Sequence, residues 1–530
     1  MCIRDRDSPV SSLAEQDEKY YDLISFDPRG VGLTTPTFSC FTDPGLATSW
    51  QIRTMQEGVF GSSDAAFGRL WAMSIAYSKS CSRPAADGEV DVRPYVSTAS
   101  VARDMISIVE SHGEWREKEA KRLIAQEQGI KCKVAASAIE VQEAVKYKPE
   151  EEKIQYWGFS YGTYLGLTFA AMFPDRISRL IVDGVVDAYD YRQALWKDNL
   201  MDTEKDMHTF YYHCARAGYP SCAMANHSGE TTVESVEARV KNITMSLVHN
   251  PLPVIGENAE VITYSDVKSL IFAALYSPIQ SFPFVANILA DIEAGDGTTF
   301  AQLLMSYHRM LAETSVASAV VPQWLSWVDA VSALSGQSSS GEYSTSDVPQ
   351  AMETGEETNL GHHQPMTPLA IPLRNKTSPN AAPGDATMAI ACSDGDDQSW
   401  LSKEEFNDFW QELEELSPSI GAMWASIRLA CVHYSVRSVN RFVDPWVGNT
   451  SHPILLVGNT ADPVTPLDDA HKMSEGFPGS VVLTQDSAGH CTLSAPSLCT
   501  STYIRKYMQS GEMPPKDTVC EADEFPFGGR

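Results

Sequence analysis

Residues 154–173 read IQYWGFSYGTYLGLTFAAMF. The apolar, aromatic run Ile154–Trp157 has the composition of a short buried strand. Gly158-Phe159-Ser160-Tyr161-Gly162 interrupts it, and a helix-forming stretch follows as far as Pro174. This is the G-x-S-x-G pattern in the setting that gives it meaning: strand, sharp turn, helix. The glycines let the helix backbone pass close to the strand while Ser160 occupies a strained turn with its hydroxyl at the tip. The free N–H groups and positive dipole end of the helix behind it suit a developing oxyanion, with the Tyr161 N–H as the expected donor. Five loosely specified positions also recur by chance, so the flanking strand and helix carry this reading rather than the pattern.

A chain of 530 residues buries a large core, and 43% hydrophobic with 21% charged residues is the composition of a soluble globular protein. No apolar run approaches the roughly 18 residues that span a bilayer. Asp plus Glu number 69 against 40 Lys plus Arg, a net charge of −29 that repels nucleic acid and anionic membranes. The same charge favours cationic ligands such as peptide amino termini, although solubility alone explains it equally well. Eleven cysteines and four N-x-[S/T] sequons, at Asn226, Asn242, Asn375 and Asn449, together favour an oxidising secretory compartment. The opening residues, MCIRDRDSPVSSLAEQDEKYYDL, carry no apolar signal core.

Tyr20–Phe26 reads as a strand leading into the turn Asp27-Pro28-Arg29-Gly30-Val31-Gly32, with Arg29 in a local ion pair; nothing there completes a phosphate-binding motif. Residues 37–95 read as loop-rich. Thr98 caps a helix whose apolar positions Val101, Met105, Ile108 and Val109 recur at helical spacing, and Glu114–Gln128 is a solvated helical stretch. Leu180–Val186 is the next buried strand. Strand, helix, strand in that order implies a parallel sheet with crossover helices.

From Ala188 the alternation stops and amphipathic helices take over. Residues 335–383 are rich in Ser, Gly, Pro, Thr and Glu and read as a long loop. His362 and His363 lie in it with no metal-ligand spacing around them, which favours solvent exposure. Helix resumes at Lys403–Leu416 and Met423–Ser435. The sheet returns at Ile454–Val457, followed by the loop Gly458–Pro463, the helix Pro466–Gly476, the strand Ser480–Leu483 and the loop Gln485–His490. The expected organisation is a core of residues 1–187, a helical lid of residues 188–445 and a second core segment of residues 446–530.

Ser160, Asp462 and His490 then each lie just beyond the carboxyl end of a predicted parallel strand, where open α/β sheets build their sites. Nucleophile, acid, histidine is the chain order of α/β-hydrolases. His490 is expected to take the Ser160 proton, and Asp462 to hold the imidazole in the right tautomer. Asp468 and Asp469 fall within the following helix, too late for the loop tip. Serine at the elbow excludes an aspartate or cysteine nucleophile, and Cys491 is read as a neighbour of His490. This chemistry calls for no metal and no cofactor.

The set FDPRGVG, YWGFSYGTYLG, LIVDGVVD, AIACSDG, GNTADPVTP and AGHCTLSAPSLC resembles the secreted tripeptidyl aminopeptidases and their prolyl-aminopeptidase relatives over nearly the whole chain. The resemblance implies an α/β-hydrolase fold, a mostly parallel sheet flanked by helices with a large helical lid. It also implies a serine exopeptidase that removes short peptides or single residues from a free amino terminus in a secretory or vacuolar compartment. It suggests the disulfides Cys392–Cys431 and Cys499–Cys520. The short spacing of Cys214 and Cys222 suggests a third within the lid, Cys40–Cys81 is a weaker pairing, and Cys132 and Cys491 are left over. Members of this family carry an H-G-G-P-G type loop ahead of the strand matching Tyr20–Phe26, and none occurs here. The expectation is therefore a chain lacking its amino-terminal strands and one oxyanion donor, poorly active or unstable as it stands. Two other functions share the fold: a carboxylesterase or lipase with the same three residues, and a non-catalytic binding protein.

Overall fold

The structure, a computed structural model, describes residues 21, 23–85, 88, 90–128, 142–314 and 383–528. Residues 335–382, with His362, His363 and Asn375, lie outside the described residues, as does Cys132. The chain opens with helices α1 (Pro44–Glu57), α2 (Ala66–Cys81) and α3 (Thr98–Gln128). Strand β1 (Ile154–Phe159), helix α4 (Tyr161–Met172) and strand β2 (Ile177–Asp183) form the first crossover unit. A helical block follows: α5 (Ala188–Arg192), α6 (Thr203–Ala217), α7 (Val233–Ser246), the hairpin β3 (Leu252–Val254) and β4 (Glu260–Ile262), α8 (Tyr264–Leu275), α9 (Pro278–Glu293) and α10 (Thr298–Thr314). It continues with α11 (Pro383–Asp394), α12 (Lys403–Leu416) and α13 (Gly421–Val432). The chain closes with β5 (Leu455–Ala461), α14 (Leu467–Ser474), β6 (Val481–Ala488), α15 (Leu498–Ser510) and β7 (Val519–Glu521).

The main sheet has the order β1-β2-β5-β6-β7 and every pairing in it is parallel. Side chains alternate across it as a pleat requires. Leu180, Val182 and Leu456 pack with Val101 and Met105 of α3, Leu167 and Phe169 of α4, and Met473 of α14. Ile181, Leu455, Val457 and Leu483 pack on the other face with Ile504 and Tyr507 of α15. Tyr507 also pins its helix to the sheet, because its hydroxyl accepts from the Leu180 N–H at 2.9 Å and donates to the Pro453 carbonyl at 2.7 Å. With both faces covered, the strands read as near-continuous apolar runs.

Register decides what the sheet can present. Phe159 pairs with Asp183, Asp183 with Val457, and Ala461 with Ala488, so the carboxyl ends of four strands finish along one edge. Ser160 is the residue after β1, Asp462 the residue after β5, and His490 the second residue after β6.

Several elements depart from expectation. Residues 37–95 hold the two helices α1 and α2 rather than loops; Asp43 accepts from the Leu46 N–H and Pro44 follows it, an N-terminal signal for α1. Among the described residues of 20–26 no strand forms: Leu23 makes a lone bridge, and Leu23, Ile24 and Phe26 are exposed. An apolar run becomes a strand only beside a ladder partner, and β1 pairs, among the described residues, with β2 alone. Strands β5 and β6 run on through Asn459 and Gln485, residues expected in loops, because the two ladders support each other to Ala461 and Ala488. A further strand, β7, adds to the far side of β6. Arg29 pairs with Asp104 of α3 at 2.5 and 2.7 Å.

The helical block has its own core, in which Phe210, Phe272, Phe282, Phe300 and Phe406 are buried together with Phe60 from the segment between α1 and α2. The structure joins Cys40 to Cys81, Cys214 to Cys222, Cys392 to Cys431 and Cys499 to Cys520, with Cα separations of 4.4, 5.2, 5.0 and 5.5 Å. Four disulfides point to an oxidising compartment. No helix among the described residues is long and apolar enough to cross a membrane.

Candidate active site

The turn between β1 and α4 places Ser160 at φ 53° and ψ −123°, a strained conformation for a residue with a side chain. Three bonds hold it there. The Ser160 N–H donates to the Asp183 carbonyl at 3.1 Å, and the Ser160 carbonyl accepts from the Thr163 N–H at 2.8 Å and its hydroxyl at 2.6 Å. Gly158 is required by close approach, since a Cβ there would stand 2.5 Å from the Gly162 carbonyl oxygen. Tyr161 begins α4, so its N–H has no intrahelical carbonyl to donate to.

Asp462 is fully buried and its carboxylate is saturated with donors. One oxygen accepts from the Val464 and Thr465 N–H groups at 3.0 and 2.9 Å, the other from the Cys491 N–H at 2.8 Å. His490 Nδ1 completes the set at 2.9 Å, which fixes that nitrogen as the protonated one beside an ionised carboxylate. Among the described residues the other ring nitrogen, Nε2, is buried without a partner. A neutral imidazole held this way offers a bare lone pair, the requirement of a general base.

The loop that carries the ring is built by residues that periodicity did not single out. Asn459, in the middle of β5, donates from Nδ2 to the carbonyls of Gly489 and Cys491 at 2.8 and 2.7 Å, one on each side of His490. Asp183 receives the Thr492 N–H at 2.9 Å and its hydroxyl at 2.5 Å, and burial pushes the Asp183 carboxyl up to about 6. The Asp183 carbonyl accepts from both Ser160 and the Cys491 thiol, the latter at 3.4 Å, so one oxygen ties the serine turn to the histidine loop. The Cys491 thiol lies within hydrogen-bonding reach of the Ser160 backbone, and burial raises its pKa well above the usual value, aided by the Asp183 and Asp462 carboxylates. A polar residue inside the buried run LLVGNTA was the one signal that could have revealed Asn459.

The helical block closes over this edge. The Tyr276 ring stands edge-on to His490 with centroids 4.8 Å apart, and its carbonyl accepts the His490 N–H at 3.2 Å. Gly489, at φ +100°, leaves no room for a Cβ, which would lie 2.5 Å from Pro278 and from Ser494. The start of α6 is tied to the loop after Asp462, because Thr203 and Asn199 donate to the Pro463 and Val464 carbonyls at 2.6 and 2.8 Å.

A parallel sheet with helices on both faces, a strained serine turn and a carboxylate–imidazole pair at one edge define an α/β hydrolase. Residues 5–219 match the family model described as alpha/beta hydrolase fold, and residues 417–520 match the one described as TAP-like protein. The chain is similar to the tripeptidyl aminopeptidase of Streptomyces lividans, 21% identical over 517 residues that cover 96% of this chain and 72% of that protein. The tripeptidyl aminopeptidase of Streptomyces coelicolor is also 21% identical, covering 96% and 71%. The serine protease Hip1 of Mycobacterium tuberculosis is 22% identical, covering 96% of this chain and 76% of its own length. The chain therefore has the α/β-hydrolase fold and is similar over most of its length to serine peptidases.

Proposed function

We propose that the protein is a secreted serine exopeptidase that releases short peptides, tripeptides foremost, from free amino termini. Ser160 Oγ attacks the scissile carbonyl carbon while its proton passes to His490 Nε2. The Tyr161 N–H takes the charge that develops on the carbonyl oxygen. Collapse of the tetrahedral intermediate expels the amine, which leaves with the proton from His490; water then repeats the sequence on the acyl-enzyme, and Asp462 holds the ring throughout. The observation that carries this reading is the His490 ring, bonded to Asp462 through Nδ1 with Nε2 bare, on a loop that shares the Asp183 carbonyl with the Ser160 turn.

The free-amine requirement is supported by the similarity to a tripeptidyl aminopeptidase and by a net charge of −29. The organisation that serves it is a core of residues 1–187 and 446–530 with residues 188–445 as a lid. Secretion accords with the four disulfides, and Asn226, Asn242 and Asn449 are exposed sequons open to glycosylation. The test is turnover of matched tripeptide amides with free and acetyl-blocked amino termini. Cleavage confined to the free form is expected. Equal cleavage of both would replace the exopeptidase reading with an esterase or endopeptidase one.

A further inference from the structure

The residue beside the nucleophile is tied to the helical block by a buried chain of hydroxyl groups. The Tyr161 hydroxyl lies 2.5 Å from Thr98 Oγ1, which lies 2.5 Å from Asp394 Oδ2. The Thr98 N–H donates to the other oxygen of that carboxyl at 2.9 Å. Three elements thus meet: α4 behind the serine, the first residue of α3, and the last residue of α11. Asp394 and Thr98 are buried, at 2% and 1% exposure, and the rings of Tyr164 and Tyr191 stand against that of Tyr161. Asp394 is itself held. Arg441 donates to its carbonyl at 2.6 Å, and two residues earlier Cys392 is crosslinked to Cys431.

Proton counting gives the chain a direction. Burial pushes the Asp394 carboxyl up to about 7; above that pH the carboxylate takes the single threonine hydroxyl proton, and Tyr161 is then the donor to Thr98. Every polar atom in the chain is used, and none of its bonds reaches His490. A residue at φ 53° is kept there only by surroundings that over-determine it, and Ser160 has Tyr161 as its next residue.

We propose that Asp394 is a positioning residue: through Thr98 and the Tyr161 hydroxyl it fixes the first turn of α4, and with it the Ser160 hydroxyl and the Tyr161 N–H. This rests on the reading of Ser160 as nucleophile and the Tyr161 N–H as oxyanion donor. The alternative is a buried polar cluster that only stabilises the fold, and the two differ in what they do to turnover per folded molecule.

The experiment measures kcat and KM on a free tripeptide amide for Asp394→Asn, Tyr161→Phe and the double variant, with melting temperature recorded for each. Expected is a kcat lower by about tenfold or more in each single variant with KM nearly unchanged, less than the ~10²–10³ lost with an oxyanion donor itself. Because both changes cut the same chain, the double variant should be no slower than the slower single one. Thr98→Val should match them, and Thr98→Ser, which keeps the hydroxyl, should recover most of the loss. Wild-type kcat in Tyr161→Phe, or losses that multiply in the double variant, would overturn the proposal. Tyr161→Phe keeps the ring packed and decides the matter alone if Asp394→Asn does not fold. Ser160→Ala run alongside separates the two readings, since retained turnover there would defeat the nucleophile assignment and not merely the network.

Discussion

Replacing Asn459 by alanine removes the amide that holds His490 from both sides. The Asn459 side chain is fully buried, and its two N–H hydrogens serve the Gly489 and Cys491 carbonyls at 2.8 and 2.7 Å, with Ser494 Oγ nearby at 3.1 Å. Losing the donor takes from the Gly489 carbonyl its hydrogen bond, while the Cys491 carbonyl keeps the Ser494 N–H and hydroxyl at 3.2 and 2.9 Å, so the variant should be about 1–3 kcal/mol less stable. In a chain of this size that corresponds to a fall in Tm on the order of 2 °C. The functional effect is larger in proportion, because a ring displaced by about 1 Å loses on the order of 10²-fold in rate. The Asp462 contact survives, so binding should suffer less than turnover. The assay is thermal unfolding alongside kcat and KM on a free tripeptide amide. Asn459→Asp supplies the ordering: it sets carboxylate oxygens against two carbonyl oxygens and should be worse than alanine in both measurements. Wild-type Tm and kcat in Asn459→Ala, or an aspartate variant better than the alanine one, would refute the reasoning.

Stability should fall as pH rises from 5 to 9. Asp187, Asp190, Asp198 and Asp469 crowd around Lys472; burial and then the charge of neighbouring carboxylates push Asp469 up to about 8 and Asp190 up to about 7. In the unfolded chain both lose their protons near pH ~3.9, so the stabilisation from protons held in the folded state is complete below that value and is lost as pH passes through about 7 to about 8. Asp469→Asn should flatten the decline of Tm across this range; an unchanged slope would count against the cluster. Tyr507→Phe leaves the buried Leu180 N–H without its acceptor and should reduce stability by about 1–3 kcal/mol in denaturant titration while leaving KM unchanged.

Much of this architecture is written in local pattern. The elbow is legible because an apolar strand, two glycines and a helix occur in immediate succession, and Lys403–Leu416 because its capping Ser402 and bracing Glu405 bound a strongly amphipathic stretch. What stays hidden depends on distant partners. α1 buries none of its residues, so no apolar stripe announces it, and only Asp43-Pro44 marked its start. Tyr20–Phe26 has the composition of a strand but, among the described residues, makes only the lone bridge at Leu23, while β7 is three residues long and is a strand because β6 is there. Asn459 and Asp183 look like interruptions in apolar runs until the histidine loop folds back onto them. The contact between Thr98 and Asp394 spans 296 positions and has no sequence signature at all.

The central claim is that the Ser160 hydroxyl is the nucleophile activated by His490. Incubation with a fluorophosphonate followed by peptide-level mass spectrometry tests it directly. A single covalent adduct on Ser160, lost in Ser160→Ala and strongly slowed in His490→Ala, is the expected result. Labelling at another residue, or hydrolysis that persists in Ser160→Ala, would contradict it.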